Sequence, residues 1–207
     1  MTLVDHSKMA ASSKIKFDRV QALEAAMLVF WKKGYGAASL TDLTEAMGIN
    51  KPSMYATFGN KEKLFVLATE HYVQSVDLQH RQFLQQANVP LKQRLKNYLS
   101  SVIAGQCCEQ SPKGCYISLC VSEAAGENIP ESALVKIQEV SQFAFGALVQ
   151  LFKEDEEAKQ LNLDVEAELH ACFLMTLLNG TAGMARAGKK ATELEPLLAL
   201  ALKGLGI

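Results

Sequence analysis

Apolar residues recur at spacings of three and four along almost the whole of this 207-residue chain. That period matches the turn of an α-helix, whereas a half-buried strand needs strict alternation of apolar and polar residues. The sequence has no alternating stretch of useful length and no internal repeat. We therefore predict an all-α fold, whose later helices lie near residues 91–108, 115–124, 131–154, 164–187 and 192–204.

The residues before position 60 predict three short helices. Asp18 is a typical N-cap for the first helix, and Gly34 ends it. Ser39, with Asp42 three residues later, opens the second helix in the form of a capping box. The third helix is predicted over Lys51–Phe58, because a proline is tolerated in the first turn of a helix. A long helix then begins at residue 61 and connects this N-terminal part to the rest of the chain.

The run SLTDLTEAMGINKPSMYATFGNKEKLF, residues 39–65, resembles the DNA-binding signature of the TetR family of transcriptional regulators. The features that carry the resemblance are Ser39, Leu43, Gly48-Ile49, Met54-Tyr55, and Phe58 followed by Lys61-Glu62-Lys63-Leu64. The resemblance implies a three-helix helix-turn-helix domain, which we place at residues 14–63. It also implies that a long helix joins this domain to a helical-bundle domain for effector binding and dimerisation, residues 64–207.

The third helix has the properties of a recognition helix, which presents small or polar side chains to base edges in the major groove. Lys51, Ser53 and Thr57 can hydrogen-bond bases or phosphates. The family resemblance assigns Tyr55 and Lys61 to the phosphate backbone. The predicted DNA-binding residues are Ser39, Thr41, Lys51, Pro52, Ser53, Tyr55, Thr57 and Lys61.

Charge is distributed unevenly along the chain, although the net charge is only -1. Residues 1–63 contain nine lysines and arginines against six acidic residues, and the remainder contains twelve against sixteen. A basic N-terminal part on an acidic body suits a partner with a phosphate backbone. We predict that Lys14 and Lys16 extend this surface as a basic arm, with double-stranded operator DNA as the partner.

Two C-terminal helices predict a homodimer interface. Small and apolar residues form one stripe along the helix that begins near residue 164, and the glycines in it would allow a neighbouring helix to approach closely. Glycine inside a helix costs about 1 kcal/mol relative to alanine, so close packing is the expected compensation. Packing within one subunit is the alternative. The predicted interface residues are Phe173, Leu177, Gly180, Gly183, Met184, Leu198 and Leu202.

The family resemblance also implies an effector cavity among the helices between residues 91 and 154. A small, partly apolar effector would be bound by aromatic and methionine side chains with a few polar anchors. The same pattern is typical of an ordinary helical core, and this alternative stays open. The candidate lining residues are Tyr98, Tyr116, Phe143, Phe145, His170 and Met175, with Gln106 and Gln142 as further polar anchors.

Four cysteines, Cys107, Cys108, Cys115 and Cys120, fall within fourteen residues. They lack the paired spacing and nearby histidine of a zinc site, so we predict no metal. Cys115 follows Lys113-Gly114 at a predicted helix N-terminus, where the dipole and the lysine would favour the thiolate. One interpretation is a redox or electrophile sensor, with Cys107 or Cys108 as the resolving thiol. Inert packing in the core is the other.

The sequence contains no motif of the common enzyme classes, such as a phosphate-binding glycine loop or paired histidines at metal spacing. It also lacks a membrane-spanning apolar run and a signal peptide, so we expect a cytoplasmic protein without a cofactor. The favoured prediction is a repressor released from DNA by a small-molecule, electrophile or oxidant effector. The alternative is a helical thiol-based sensor or adaptor that no longer binds DNA.

Overall fold

The computed structural model describes residues 17–125 and 129–207, and within these ranges it contains helices and no strand, as the sequence predicts. The α-helices are α1 Arg19–Ala37, α2 Leu40–Ala46, α3 Lys51–Phe58, α4 Lys61–Tyr72, α5 Leu78–Arg81, α6 Leu91–Gln106, α7 Tyr116–Ala124, α8 Glu131–Glu154, α9 Glu156–Gln160, α10 Ala167–Arg186, α11 Ala191–Leu194 and α12 Pro196–Gly204. A π-helical turn, Val73–Asp77, and a 3₁₀ turn, Gln82–Gln85, flank α5.

The N-terminal part, which we call the head (α1 to α3 with the first turn of α4), has the predicted local signals. The Asp18 side chain accepts hydrogen bonds from the first turn of α1. Gly34 interrupts α1 with φ +78° and ψ 175°, a backbone conformation that is essentially restricted to glycine. Ser39 and Asp42 form the capping box of α2. These local contacts confirm the start of the first helix and the capping box of the second.

The segment from Lys61 to Gln85, which we call the connector, joins the head to the later helices, which we call the body. It is less regular than predicted. The sequence predicts one continuous helix from Lys61, whereas the structure has α4, the π-helical turn, α5 and the 3₁₀ turn in succession, ending at Gln85. A π-helical turn contains one more residue per hydrogen-bonded ring than an α-helix, and such turns often occur at functional sites. In the C-terminal region, Pro196 divides the helix predicted near residues 192–204 into α11 and α12.

Two hydrophobic cores hold the helices together. The first core joins the head to α4, α7 and the beginning of α8, with the fully buried Phe30, Phe65 and Tyr116 among its largest side chains. The second core joins α6, the end of α8, α10 and α12 around residues such as Leu95 and Phe152. The head therefore packs directly on α7 as well as on its own helices, and a domain boundary at residues 63 and 64 remains a prediction.

Candidate DNA-binding face and internal cavity

The ends of α2 and α3 are fixed by side chains of the head. Ser39 Oγ accepts the N–H of Asp42 at 3.1 Å, and the Asp42 carboxylate accepts the N–H of Ser39 at 3.0 Å. Lys33 Nζ lies 2.7 Å from Asp42 Oδ1, and this ammonium together with the Ser39 donors lowers the pKa of Asp42 to about 2. The Asn50 side chain accepts the N–H of Ser53 at 2.9 Å and caps α3. The N-termini of α2 and α3 are therefore both capped by side chains of the head.

Helix α3 divides into a buried and an accessible side. Met54 and Phe58 are buried in the first core. The accessible positions are Lys51, Pro52, Tyr55 and Ala56, which are exposed, and Ser53 and Thr57, which are half-buried. Ser39 and Thr41 are exposed at the beginning of α2. The side chains left free by core packing are thus those that the sequence predicts to contact DNA, and that contact itself remains a prediction.

Lys61 is the first residue of α4 and is half-buried. Its Nζ lies 4.4 Å from the centroid of the Tyr35 ring, a cation–π contact that holds the ammonium against α1. Burial lowers the pKa of Lys61, and the negative charge of Glu123 opposes that effect. The lysines of the predicted basic arm, Lys14 and Lys16, lie outside the described residues.

A cavity of about 520 Å³ lies between the two cores. Trp31 and Tyr72 from the first core and Tyr98 and Leu178 from the second contribute to its wall. The wall also contains Met175, so two of the predicted aromatic and methionine residues, Tyr98 and Met175, line it. A mixed apolar and polar cavity of this size falls within the range that binds small molecules.

Cys115 lies in the wall of this cavity and caps the N-terminus of α7. Its sulfur accepts the N–H of Ser118 at 3.5 Å and lies 3.8 Å from the hydroxyl of Tyr72. Burial raises the pKa of the Cys115 thiol above its ordinary value, more than these hydrogen bonds lower it. The expectation that Cys115 is favoured as a thiolate is therefore wrong. Lys113, which was expected to help, donates instead to the carbonyl of Cys107 at 2.6 Å.

Comparisons with known proteins give the same result for the head alone and for the whole chain. The family model described as "Bacterial regulatory proteins, tetR family" matches residues 22–68. A solved structure of the TetR family transcriptional regulator CifR, a cysteine mutant complexed with 26-bp double-strand operator DNA, is 32% identical to this chain. The match covers 91% of this chain and 97% of CifR with a TM-score of 0.80. This chain belongs to the TetR family of transcriptional regulators.

Two curated relatives of this TetR-family chain are repressors of Escherichia coli (strain K12). The HTH-type transcriptional repressor ComR is 36% identical over 101 residues, which are 49% of this chain and 48% of ComR. The HTH-type transcriptional repressor BdcR is 43% identical over 58 residues, which are 28% of this chain and 29% of BdcR. The matched stretches thus span about half the length of ComR and less than a third of BdcR.

Six residues that the sequence places at the effector site of this TetR-family chain lie outside the cavity wall, and four of them make a specific contact elsewhere. Tyr116 is buried in the first core, where its hydroxyl lies 2.9 Å from Thr69 Oγ1. Phe143 is 55% exposed, and the guanidinium of Arg81 lies over its ring. The other two are Cys107, whose sulfur lies 3.6 Å from the carbonyl of Lys189, and His170, whose Nδ1 lies 3.0 Å from the carbonyl of Leu163.

Helical geometry explains the position of Tyr116. One residue along an α-helix turns the side chain by about 100°, so Tyr116 faces away from the wall that contains its neighbour Cys115. Of the remaining candidates, Gln142 is exposed and Phe145 packs against the second core. Gln106 does line the cavity, but its amide is already satisfied, because Nε2 donates to the carbonyl of Leu178 and Oε1 accepts from Thr181.

The sequence interpretation missed the contribution of the connector to the cavity. Ser75 and Asp77 of the π-helical turn and His80 of α5 line it, together with Tyr72. His80 Nδ1 lies 2.7 Å from Ser101 Oγ, and burial lowers the pKa of its imidazole. One feature of the sequence could have indicated this contribution. Polar residues stand in the middle of a helix whose other positions are predicted to be buried.

An exposed apolar stripe follows α10. Val165, in the loop before that helix, and Leu169, Phe173 and Met184 are 77%, 59%, 42% and 45% exposed, and Gly180 and Gly183 are exposed between them. Leu177 is half-buried against the second core. Leu198 and Leu202 are 3% and 4% exposed, because they face the second core of their own subunit. The prediction that Leu198 and Leu202 face a second subunit is therefore wrong, and the exposed leucines of α12 are Leu197 and Leu200.

Within residues 17–125 and 129–207, no group of three or more histidine, cysteine, aspartate or glutamate side chains is arranged to hold a metal ion. No helix in the same ranges combines the length and the apolar character that a membrane crossing requires.

Proposed function

We propose that this chain is a transcriptional repressor that binds operator DNA as a homodimer and is released when a ligand occupies the cavity. The observation that carries the proposal is the accessible side of α3. Its core positions are filled by Met54 and Phe58, which leaves Lys51, Tyr55 and Thr57 free for a nucleic acid. The resemblance to CifR over nearly the whole of both chains supports the same function, as do the names of ComR and BdcR as repressors.

The homodimer follows from the exposed stripe on α10. Contiguous apolar surface of this kind is typical of protein–protein interfaces, and the glycines at positions 180 and 183 meet no other residue within 4 Å of an added Cβ. A two-fold dimer would present two recognition helices to half-sites about 34 Å apart. We propose no catalytic role and no cofactor for this chain.

The experiment that tests DNA binding is selection of random duplex DNA by the purified protein, followed by a salt titration of the selected site. We expect a two-fold symmetric site and an affinity that falls steeply as the salt concentration rises. Thr57→Ala should weaken binding to the selected site, whereas the matched change Thr192→Ala, on the exposed surface of α11, should not. Absence of any enriched site with a folded protein would favour the alternative of a helical adaptor that does not bind DNA.

We propose that the effector is a small, partly apolar molecule, and that an electrophile can react with Cys115 once it is bound. The aromatic wall of Trp31, Tyr72 and Tyr98 supports an apolar ligand. Because burial raises the pKa of Cys115, little thiolate is present at neutral pH, so a dilute oxidant in solution should react slowly. An electrophile held in the cavity beside the sulfur would gain from proximity.

The effector proposal is tested by treating the protein–operator complex with a quinone. We expect release of the operator from the parent protein and from Cys172→Ser, which changes an exposed cysteine of α10. Cys115→Ser should remain bound to DNA under the same treatment. Full release of DNA from Cys115→Ser would contradict a sensor role for this residue and would leave the operator-binding proposal intact.

A further inference from the structure

Helix α7 lines the cavity and also contacts the head. Its N-cap, Cys115, and the residues Ile117, Ser118 and Val121 lie in the cavity wall. Its last turn carries Glu123, eight residues and therefore about 12 Å beyond Cys115 along the helix. One short helix thus has cavity-facing residues along its length and, in its last turn, a side chain that faces the head.

Glu123 is bound at the interruption in α1. Its Oε2 accepts the backbone N–H of Tyr35 at 2.8 Å, a contact between residues 88 positions apart in the sequence. The carboxylate occupies the space beside Gly34, where an added Cβ would collide with it. A charge-assisted hydrogen bond of this kind is stronger than one between neutral groups. The head is therefore held against α7 at Gly34, where the absence of a side chain leaves room for the Glu123 carboxylate.

Tyr35 connects this contact to Lys61 at the predicted DNA-binding surface. Its ring packs edge-on against Phe65 of α4, with centroids 5.1 Å apart, and supports the ammonium of Lys61 at 4.4 Å. Lys61 begins α4 and is one of the predicted phosphate contacts. A shift of Glu123 would consequently move Tyr35 and, through it, the position of Lys61.

We propose that Glu123 is the positioning residue that couples occupancy of the cavity to DNA binding by the head. The inference rests on the proposed function and adds the route of its regulation. A ligand beside Cys115 displaces the first turn of α7, the Glu123–Tyr35 hydrogen bond is lost, and the head leaves its DNA-binding orientation. A ligand can shift this equilibrium only through a difference in affinity between the two arrangements, and the Glu123 contact is made in one of them.

A second contact between body and head serves as a comparison. Arg186 of α10 donates to the carbonyl of Trp31 at 3.3 Å, longer than the Glu123 contact. Helix α10 has 20 residues and carries the exposed stripe, whereas α7 has nine and is capped only by the long contact of Cys115 with Ser118. We therefore assign the coupling to α7, and Arg186→Ala tests whether loss of any head–body contact has the same effect.

The test uses full-length protein in which Cys107, Cys108 and Cys172 are replaced by serine, so that N-ethylmaleimide labels Cys115; Cys120 is fully buried. Operator affinity is measured for labelled and unlabelled forms of this parent and of its Glu123→Ala, Glu123→Gln and Arg186→Ala variants. Ser118→Trp, which fills the cavity without a reagent, is compared in the same four backgrounds. Circular dichroism and thermal melting establish that each protein is folded.

Labelling should lower operator affinity at least about fivefold in the parent and in Arg186→Ala, the lower range of allosteric coupling. In Glu123→Ala the loss should be less than about twofold, and Glu123→Gln, which keeps a neutral acceptor, should fall between. An equal loss in Glu123→Ala and the parent, or no loss in the parent with either probe, overturns the inference. Failure of the proposed function is seen separately, as the inability of the unlabelled parent to bind any selected operator.

Discussion

Replacement of Gly34 by alanine is the change that most directly tests the contact between head and body. The φ of +78° with ψ 175° is a conformation that costs a residue with a Cβ about 1–3 kcal/mol. The new methyl group would also displace the Glu123 carboxylate and remove its hydrogen bond to Tyr35, and a hydrogen bond to a charged group contributes about 1.5–3 kcal/mol. We expect Gly34→Ala to lower the free energy of unfolding by about 2.5–6 kcal/mol.

Gly36→Ala is the matched control, since it lies in the same turn. Gly36 has no positive φ, and a Cβ there would meet Glu123 Oε1 only at 3.9 Å, an ordinary contact. This control should leave the free energy of unfolding unchanged or raise it by up to about 1 kcal/mol, because alanine is the better helix former. Urea-induced unfolding followed by circular dichroism measures both variants.

A double-mutant cycle separates the two causes of the loss. In a Glu123→Ala background the carboxylate is absent, so Gly34→Ala should cost only the backbone strain, about 1–3 kcal/mol. A Gly34→Ala protein within 1 kcal/mol of the parent would refute the reasoning. So would an equal cost of Gly34→Ala with and without Glu123, because the collision would then contribute nothing.

Three further predictions concern the DNA-binding face, the exposed stripe and the thiol in the cavity. Lys51→Ala should weaken operator binding and reduce the slope of log affinity against log salt by about 1, measured by fluorescence anisotropy, whereas Lys92→Ala on the exposed side of α6 should leave the slope unchanged. Phe173→Asp should give a monomer in light scattering and abolish operator binding. The control Val135→Asp changes an apolar residue of α8 with similar exposure and should stay dimeric. If both variants are dimers, the stripe is excluded as the interface. Because burial raises the pKa of Cys115, its alkylation by iodoacetamide should still increase about tenfold per pH unit at pH 9, and a plateau below pH 8 in mass-spectrometric rates would contradict this.

Local signals in the sequence were sufficient to predict where the three helices of the head begin. The N-cap Asp18, the capping box of Ser39 and Asp42, and the cap Asn50 each satisfy backbone groups within three residues, so the sequence alone specifies them. The family resemblance assigned Tyr55, side-chain chemistry assigned the other recognition-helix residues, and the structure leaves these side chains accessible. Contacts of this range are independent of how the helices pack together.

The effector site was less predictable, because a cavity is defined by several helices at once. Apolar spacing places Tyr116 and Cys115 in the same helix but does not determine which of them faces the cavity and which faces the first core. Leu198 has the same apolar character as Leu197, and only the orientation of α12 against the second core buries the former and exposes the latter. The π-helical turn of the connector, which brings Asp77 to the cavity, carries no glycine or proline as a signal.

The cavity lies between the two cores, so a ligand in the proposed regulation would act on both of them. The first core, with Trp31 and Tyr72 in the wall, holds the head, whereas Tyr98 and Leu178 on the opposite wall belong to the core that packs α10 beneath the exposed stripe. Well-packed cores deform little, so a ligand that enlarges the space between them must move one core relative to the other. If the stripe is fixed in a homodimer, the core that moves is the one that holds the head, and the separation of the two recognition helices changes with it. In the proposed mechanism, a rigid dimer interface is therefore what would convert the binding of a small ligand into a loss of operator binding.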